Sequence, residues 1–270
     1  MMYKVNLHIT QKCNYSCKYC FAHFENSKDL EIDDWKQIID NLKDSNLINE
    51  INFAGGEPVL YKDFSTLVEY AYFKGFDLSL ITNGSLMLDE KLFPVDLFKK
   101  FNMLGISVDS FSKKILQKLG ACNNKKEFLI FDNFKEIVNK AKTINPKIKI
   151  KVNTVVSSIN VNDKLEFSKE NIDRWKLLKM KDFDNNTFCN KQLSISQEDF
   201  EKYVNKHKGL SSNIVVEESL SQSYIIIDNR GNLLDNKKDN YKIVGNLLKD
   251  DFKKLFKKYN FDKELYKKTY

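Results

Sequence analysis

Three cysteines lie close together near the start of the chain, at positions Cys13, Cys17 and Cys20. The spacing C-x3-C-x2-C supplies three thiolates, which are the ligands that hold iron–sulfur clusters. A cluster of four irons takes four ligands, so three cysteines leave one iron open to a small molecule. The spacing therefore predicts a cluster that does chemistry on a bound ligand, in contrast to a fully capped cluster that only carries electrons.

A structural zinc ion is the alternative interpretation of these cysteines. Zinc sites usually combine two C-x2-C-like pairs, or one pair with two histidines. The candidate fourth ligands Cys122 and Cys189 lie more than a hundred residues further along the chain. A zinc-stabilised interaction module without enzymatic activity is therefore the less favoured hypothesis, and the metal content of the protein distinguishes the two.

Apolar runs alternate with helical patterns after the cysteines. Strands are predicted at residues 5–9, 51–53, 78–81, 104–107, 148–156 and 175–180, with weaker strand patterns at 214–216 and 224–227. Helical spacing of apolar residues occupies 33–47, 65–73 and the stretch before residue 143. This repetition predicts an α/β fold with a mostly parallel sheet and helices outside it. Six βα units are too few for a closed eight-stranded barrel, so they predict a partial (β/α)6 barrel.

The predicted barrel core covers residues 1–181. Residues 182–270 are predicted to form a C-terminal α/β extension of the same structural domain, which closes the active site. In parallel βα folds, ligands bind at the carboxyl ends of the strands. The polar and glycine-rich segments fall at those ends: Cys13–Cys20, Gly55-Gly56-Glu57, Asn83-Gly84-Ser85, Ser107-Val-Asp109-Ser110 and, along the fifth strand, Asn153.

Composition and charge limit the class of partner. The chain has 270 residues and a formal net charge of +7, carried almost entirely by lysine. This balance suits an anionic ligand and is weaker than the basic stripe of a dedicated nucleic-acid binder, which is the third hypothesis. An odd number of cysteines, no signal-peptide pattern and no apolar run of membrane-spanning length predict a cytoplasmic protein with no membrane partner.

The cysteine motif followed by Phe21, together with Gly55-Gly56-Glu57-Pro58, resembles the radical S-adenosylmethionine (SAM) enzymes. The resemblance implies that the cysteines hold a [4Fe–4S] cluster whose fourth iron chelates the amino and carboxylate groups of SAM. Reduction then cleaves the sulfonium, and the 5′-deoxyadenosyl radical abstracts a hydrogen atom from the substrate. The family fold is a partial (β/α)6 barrel, which agrees with the strand count.

A more specific resemblance, to the viperin family, is distributed along the whole chain. It rests on Val5–His8, Cys13–Tyr15, Ile51–Pro58, Thr82–Ser85, Ile106–Phe111, Lys151–Val155, Arg174–Lys176, Ser223–Asp228 and Tyr259–Asp262. Viperin-like enzymes convert a ribonucleoside triphosphate to its 3′-deoxy-3′,4′-didehydro analogue after removal of the ribose C4′ hydrogen. The product terminates viral RNA synthesis, so the resemblance implies a role in antiviral defence.

The same resemblance implies roles for individual residues. Those expected to contact SAM are Tyr19, Gly55, Gly56, Glu57, Thr82, Asn83 and Ser107. Those expected to contact the nucleotide are Asn52, Lys151, Asn153, Lys176 and Lys237. Tyr224 is expected near the sugar as a catalytic residue and hydrogen source. The implied partners are a nucleoside triphosphate and an external electron donor of the flavodoxin or ferredoxin type, acting on a monomer.

Three positions depart from the family pattern. Glu50 stands where a phosphate-binding lysine is expected, Ala54 replaces a serine, and Ala121 replaces an arginine. A carboxylate at position 50 repels a triphosphate unless a lysine neutralises it. CTP, UTP and GTP therefore all remain candidate substrates, and a radical SAM enzyme for a peptide or a nucleotide sugar is the alternative enzyme.

Overall fold

The computed structural model describes residues 2–20, 28–167, 172–183, 189–208, 213–217, 224–235, 241–259 and 261–269. Ten strands and seven α-helices lie in these residues. The strands are β1 (Tyr3–Thr10), β2 (Ile48–Gly55), β3 (Asp77–Thr82), β4 (Met103–Ser107), β5 (Lys149–Val156), β6 (Arg174–Lys179), β7 (Ile214–Glu217), β8 (Ile225–Ile227), β9 (Asn232–Asp235) and β10 (Lys242–Asn246). The helices are α1 (Ile32–Asp44), α2 (Phe64–Phe73), α3 (Lys113–Leu119), α4 (Phe131–Ile144), α5 (Gln197–Lys208), α6 (Phe252–Lys258) and α7 (Lys263–Thr269).

All ten strands belong to one sheet, in the order β10-β9-β8-β1-β2-β3-β4-β5-β6-β7. Strands β1 to β8 run parallel to their neighbours, whereas β9 and β10 add an antiparallel edge beside β8. The six strands predicted for the barrel core are β1 to β6, so the parallel α/β architecture is confirmed. In the part of the chain that the structure describes, no helix is long and apolar enough to span a membrane.

The βα repeat is not uniform. Between β3 and β4 the crossover contains the 3₁₀-helix Val95–Lys100 in place of an α-helix, and a further departure is the connection between β5 and β6. The described residues of that connection contain turns and no helix. Asn160 organises the turn, because its amide nitrogen donates to the carbonyl oxygens of Asp109 and Val155 at 3.0 and 2.9 Å. A buried asparagine that satisfies two strand-end carbonyls thus ties the ends of β4 and β5 together without a crossover helix.

The parallel part of the sheet is strongly curved. Strands β8 and β7 are the two ends of an eight-strand run, and a flat sheet would hold them about 34 Å apart. Tyr224, the residue before β8, nevertheless donates its hydroxyl to the carboxylate of Glu217, the last residue of β7, at 2.8 Å. The sheet therefore bends into a partial barrel whose two ends meet through side chains, and we call the enclosed space the lumen.

The C-terminal helices pack against the first strand of the barrel. Tyr3 on β1 places its ring 5.2–5.3 Å from the rings of Phe256, Phe261 and Tyr266. The Tyr266 hydroxyl also accepts a 2.7 Å hydrogen bond from the backbone N–H of Lys4. These contacts support the prediction that residues 182–270 share one structural domain with the barrel.

Replacing Tyr266 with alanine tests that prediction. Tyr266→Ala removes a buried ring and the acceptor of a buried N–H, so we expect it to lower the free energy of unfolding by about 3–5 kcal/mol. Chemical denaturation should still show a single transition for the whole chain. Tyr72→Ala is the control, because Tyr72 is 43% exposed on α2, and it should change stability by less than about 0.5 kcal/mol. A separate early transition in Tyr266→Ala would show that the C-terminal part folds independently.

Candidate active site

The cysteine-bearing loop, residues 11–20, begins directly after β1 and is held by backbone contacts. The N–H groups of Ser16 and Lys18 donate to the carbonyl oxygens of Gly120 and Leu119 at 3.0 and 2.9 Å. Gly120 ends α3 with φ +76°, and a Cβ atom there would lie 2.2 Å from the carbonyl oxygen of Ser16. Only glycine permits this approach, so the end of α3 determines where the loop lies.

The two glycines at the end of β2, Gly55 and Gly56, pack against the residues that lead into the same loop. The N–H of Gly56 donates to the Thr10 carbonyl at 2.8 Å, and the N–H of Glu57 donates to the Lys12 carbonyl at 2.7 Å. A Cβ on Gly56 would lie 2.3 Å from the carbonyl oxygen of Lys12. The predicted cofactor-binding Gly55 and Gly56 therefore also position the residues that lead into Cys13.

Glu57 is an internal anchor of this end of the sheet. Its side chain is fully buried, and its carboxylate accepts hydrogen bonds from the Thr82 hydroxyl at 2.7 Å and from the Asn83 N–H at 2.8 Å. Burial raises the pKa of Glu57 to about 7, although these donors lower it. Glu57 and Thr82, which are both predicted to contact SAM, are thus hydrogen-bonded to each other. They lie beneath the rim, our name for the edge formed by the cysteine loop and the carboxyl ends of the strands.

Asn83 connects the end of β3 to the cysteine loop. Its amide nitrogen donates to the side-chain oxygen of Asn14 at 2.9 Å and lies 3.9 Å from the sulfur of Cys13. Its side-chain oxygen accepts from the backbone N–H of Ser85 at 2.9 Å and from the Ser85 hydroxyl at 2.6 Å. The predicted cofactor-binding Asn83 therefore lies beside a predicted cluster ligand.

A small cavity lies between the cysteine loop and the end of β4. Cys17, Tyr19, Asn83 and Ser107 line it together with Asp109. The Tyr19 hydroxyl donates to the Asp109 carboxylate, which also accepts from the N–H of Val155 at 2.8 Å. Burial raises the pKa of Asp109 to about 6 in spite of these donors. The structure thus brings three of the residues predicted for SAM next to Cys17.

Below this rim the lumen is lined by polar side chains. Alternate residues of a strand face the same side of a sheet, and the odd-numbered residues of β1 face the apolar core. By this alternation the lumen face carries Lys4, Asn6 and His8 of β1, Glu50 and Asn52 of β2, Ser79 of β3, Lys151 and Asn153 of β5, Arg174 and Lys176 of β6, and Glu217 of β7. The Asn52 amide donates to Asn6 at 2.8 Å and its oxygen accepts from Ser79 at 2.9 Å.

Lys176, Glu217 and Tyr224 form a closed group at the seam of the barrel. The Lys176 ammonium donates to the Tyr224 hydroxyl at 2.6 Å and pairs with the Glu217 carboxylate. Both partners of that ion pair are more than 90% buried. Burial lowers the pKa of Lys176, although the Glu217 carboxylate raises it. The predicted catalytic Tyr224 is therefore held directly on a predicted substrate-binding lysine.

Lys151 differs from the other lumen lysines. No hydrogen bond or ion pair joins its ammonium to another residue in the described part of the chain, and its side chain is partly exposed to the lumen. Burial and the neighbouring charges of Lys176, Lys4 and Arg174 lower the pKa of Lys151 well below its usual value. A cation surrounded by like charges is a favourable site for an anion.

The structure groups the predicted residues into two layers. The rim contains the cysteines, Tyr19, Asn83 and Ser107, and the deeper lumen contains Asn52, Lys151, Asn153, Lys176 and Tyr224. Lys237 lies outside the described residues. Lys4 and Glu217 also face the lumen, although neither was predicted as a site residue. The polar alternation of Lys4, Asn6 and His8 along β1 is the sequence pattern that marks Lys4. The sequence pattern placed Asp109 at the carboxyl end of β4, but Asp109 was not among the predicted site residues.

The cysteine loop carries the side chains that could hold a metal group. In the described residues, no three His, Cys, Asp or Glu side chains are arranged to hold one metal ion. Thiolates that share a zinc ion at about 2.3 Å must converge on it, whereas thiolates that cap a cluster each bind a different iron. Cys13 is exposed, and Cys17 and Cys20 are partly exposed. The three thiols are thus accessible to an inorganic group, and three thiolates are the ligand type that an iron–sulfur cluster takes.

Comparison with known proteins assigns the family. The Radical SAM superfamily profile matches residues 7–145. An S-adenosylmethionine-dependent nucleotide dehydratase from Selenomonas ruminantium is 53% identical over 272 residues, covering 100% of this chain and 99% of that protein. A protein of the same name from Fibrobacter sp. is 30% identical, covering 98% and 87%. The chain belongs to the radical SAM superfamily, in the family of the S-adenosylmethionine-dependent nucleotide dehydratases.

Radical SAM proteins use a [4Fe–4S] cluster and S-adenosylmethionine, so the predicted cofactors are confirmed at the level of the family. Among solved structures, Streptococcus suis SuiB bound to S-adenosylmethionine is similar to this radical SAM chain with a TM-score of 0.70 at 17% identity, covering 98% of this chain and 67% of SuiB. At that identity the similarity confirms the fold.

Gly56→Ala tests whether the glycine contact positions the cysteine loop. The new methyl group must displace the backbone of Lys12, so we expect a stability loss of about 1–3 kcal/mol and iron incorporation well below that of the wild-type protein. Gly75→Ala is the control, because Gly75 has φ +76° but its Cβ would meet only the Lys43 side chain, at 3.5 Å. That variant should lose about 1 kcal/mol and keep its iron. Equal iron content in both variants contradicts the positioning role.

Glu57→Gln tests the buried anchor. A carboxyl group with a pKa raised to about 7 by folding stabilises the protein fully below its unfolded pKa of about 4.5, and this contribution is lost as the pH rises through 7. We therefore expect the stability difference between wild type and Glu57→Gln to shrink by about 2–3 kcal/mol from pH 5 to pH 8. Denaturant unfolding at both pH values measures it, with Glu69→Gln on the exposed face of α2 as the control. A pH-independent difference would be the contrary result.

Proposed function

We propose that this chain is a radical SAM dehydratase of a ribonucleoside triphosphate, CTP, UTP or GTP, and that its product is the 3′-deoxy-3′,4′-didehydro nucleotide. The observation that carries the proposal is the cation-rich lumen directly beneath a three-cysteine rim. A triphosphate needs several cations, and Lys151 and Lys176 lie on adjacent parallel strands with Lys176 opposite Asn153. The relatives are named nucleotide dehydratases, which supports the same substrate class.

In this proposal Cys13, Cys17 and Cys20 hold the [4Fe–4S] cluster. The contacts of Tyr19, Asn83 and Ser107 around Cys17 favour SAM binding at the rim. When bound, the reduced cluster and SAM supply the radical that removes the C4′ hydrogen of the ribose. Two of the residues predicted to contact SAM act indirectly in this proposal, because the buried side chains of Glu57 and Thr82 position the rim. The other two, Gly55 and Gly56, keep the predicted contact with SAM.

The lumen residues bind and orient the nucleotide. Lys151 and Lys176 neutralise phosphate oxygens, and Asn153 and Asn52 supply neutral hydrogen-bonding groups between the phosphates and the rim. The Tyr224 hydroxyl accepts a hydrogen bond from Lys176 and donates one to Glu217. A hydrogen donor therefore lies directly beside Lys176, the lysine that binds phosphate in this proposal. The burial of this group excludes water from a reaction that passes through reactive species.

The proposal includes a cellular setting. Loss of water from the nucleotide is redox-neutral, whereas cleavage of SAM to 5′-deoxyadenosine and methionine consumes two electrons and a proton, so an external donor of the flavodoxin or ferredoxin type is required. We further propose that the enzyme acts as a cytoplasmic monomer in antiviral defence, with no nucleic acid or membrane as partner. The reducing cytoplasm keeps the cluster thiols available for iron.

Anaerobic turnover tests the function. The reconstituted enzyme is incubated with dithionite, SAM and each of the four ribonucleoside triphosphates. We expect 5′-deoxyadenosine to form in step with loss of one water from at least one nucleotide, because radical generation and dehydration are coupled. Mass spectrometry measures both products. Cys17→Ala should abolish both, and turnover by that variant would refute the cluster assignment. A protein with about one zinc and no iron would instead support the interaction module.

Lys176→Ala tests the location of the nucleotide. Loss of a charged contact should weaken nucleotide binding by roughly 10- to 100-fold, while SAM binding at the rim stays within about threefold. Lys179→Ala is the matched control on the same strand, because in the described part of the chain its ammonium donates to the exposed side chain of Gln197, at 3.2 Å. A larger loss of SAM affinity than of nucleotide affinity would place the two ligands the other way round.

A further inference from the structure

The base of the lumen, which is the end opposite the cysteine loop, holds more basic side chains than carboxylates. Four cationic side chains lie there, namely Lys4, Lys151, Arg174 and Lys176. Two carboxylates contact them, Glu50 on Lys4 at 2.5 Å and Glu217 on Lys176. Among the described residues of this group, basic side chains outnumber carboxylates by four to two. The neighbouring His8 adds no positive charge, because burial lowers its pKa to about 4.

Lys4 is the cation of this group that the sequence pattern alone leaves unexplained. It is 5% exposed and lies at the start of the lumen face of β1. The Ser79 hydroxyl lies 2.9 Å from the Glu50 carboxylate and can donate to it in place of the Asn52 oxygen, so the carboxylate has polar partners on both β1 and β3. The charge of Lys4 lowers the pKa of both Lys151 and Lys176, so the three ammonium groups are close enough to interact.

The position of Lys4 along the strand indicates which part of a ligand it meets. Lys4 and Thr10 are six residues apart on β1, about 20 Å, and Thr10 lies at the rim beside the cysteine loop. A nucleotide whose ribose reacts near the rim must direct its phosphate chain toward the base. The phosphate group furthest from the sugar then lies nearest to Lys4.

We propose that Lys4 is a ligand of the terminal phosphate of the substrate, and that Glu50 is the internal counter-ion that stabilises Lys4 while the site is empty. The proposal rests on the proposed function, since the ligand is the triphosphate of that nucleotide. It makes Lys4 a residue that selects triphosphates over diphosphates. It also accounts for an acidic residue at position 50, because the carboxylate is paired with Lys4 and does not face the phosphates unneutralised.

The competing explanation is that Lys4 only neutralises Glu50. The two explanations differ in the double variant Lys4→Met/Glu50→Gln, which removes both charges together. If Lys4 only neutralises Glu50, this variant should bind the nucleotide with wild-type affinity, since no unpaired charge remains. A phosphate ligand predicts a loss of about tenfold for the triphosphate, the effect of one charged contact.

The experiment uses the anaerobically reconstituted holoenzyme and titration calorimetry. The probes are the nucleoside triphosphate (CTP, UTP or GTP) that the wild type binds most tightly, its diphosphate, and inorganic tripolyphosphate. For the triphosphate we expect Lys4→Met to bind about 100-fold more weakly, because Glu50 is left unpaired, the double variant about tenfold more weakly, and Glu50→Gln several-fold more tightly. Diphosphate affinity of the double variant should change less than about threefold. Glu50→Gln should also lower the thermal midpoint of the nucleotide-free enzyme.

Triphosphate affinity of the double variant within twofold of wild type overturns the proposal, as does weaker binding by Glu50→Gln. If the Lys4 variants do not fold, Glu50→Gln still decides, because it retains Lys4. If the enzyme dehydrates a nucleotide and substitution of Lys4 does not change nucleotide affinity, this inference alone is refuted. Binding of tripolyphosphate that depends on Lys4, without nucleotide turnover, refutes the dehydratase function alone. A wild-type protein that binds none of the three probes refutes both.

Discussion

Positive charge enclosed by a curved sheet is the constraint on which the rest of this structure depends. Ammonium groups removed from water destabilise a protein unless they are paired or hydrogen-bonded. The chain meets this constraint with two internal carboxylates, Glu50 and Glu217, and with a row of amide and hydroxyl groups that includes Asn52. The opposite face of the same strands packs against the helices in the main apolar core, which offsets the cost of the polar interior.

The rim and the base divide the tasks of the site. At the rim, backbone contacts dominate: glycines allow the cysteine loop to lie directly on the ends of β2 and α3, and Glu57 joins the end of β3 to it. At the base, side-chain charges dominate. A loop fixed by backbone contacts keeps three sulfurs in place for a rigid inorganic group, whereas flexible lysine side chains can adjust to a phosphate chain. The two layers thus match the mechanical properties of the ligands proposed for them.

Much of the barrel could be predicted from the sequence, because strand alternation and cysteine spacing are local patterns. Strands β1 to β6 and the family follow from such patterns. The interruption between β5 and β6 could not be predicted, since it depends on where Asn160 finds two carbonyl groups in space. The Lys4–Glu50 pair joins residues that are distant in sequence, and Tyr19 reaches Asp109 across ninety positions. The bond between Thr82 and Glu57 likewise exists only in the folded chain.

The seam between β7 and β8 differs in kind from every other junction of the parallel run. Neighbouring strands elsewhere are joined by ladders of backbone hydrogen bonds, whereas in the described residues the seam is joined by the side chains of Lys176, Glu217 and Tyr224. Backbone ladders are insensitive to ligands, but an ion pair is weakened when another anion shares its cation. An anion that shares Lys176 therefore competes with Glu217 for the contact that joins the two ends of the sheet.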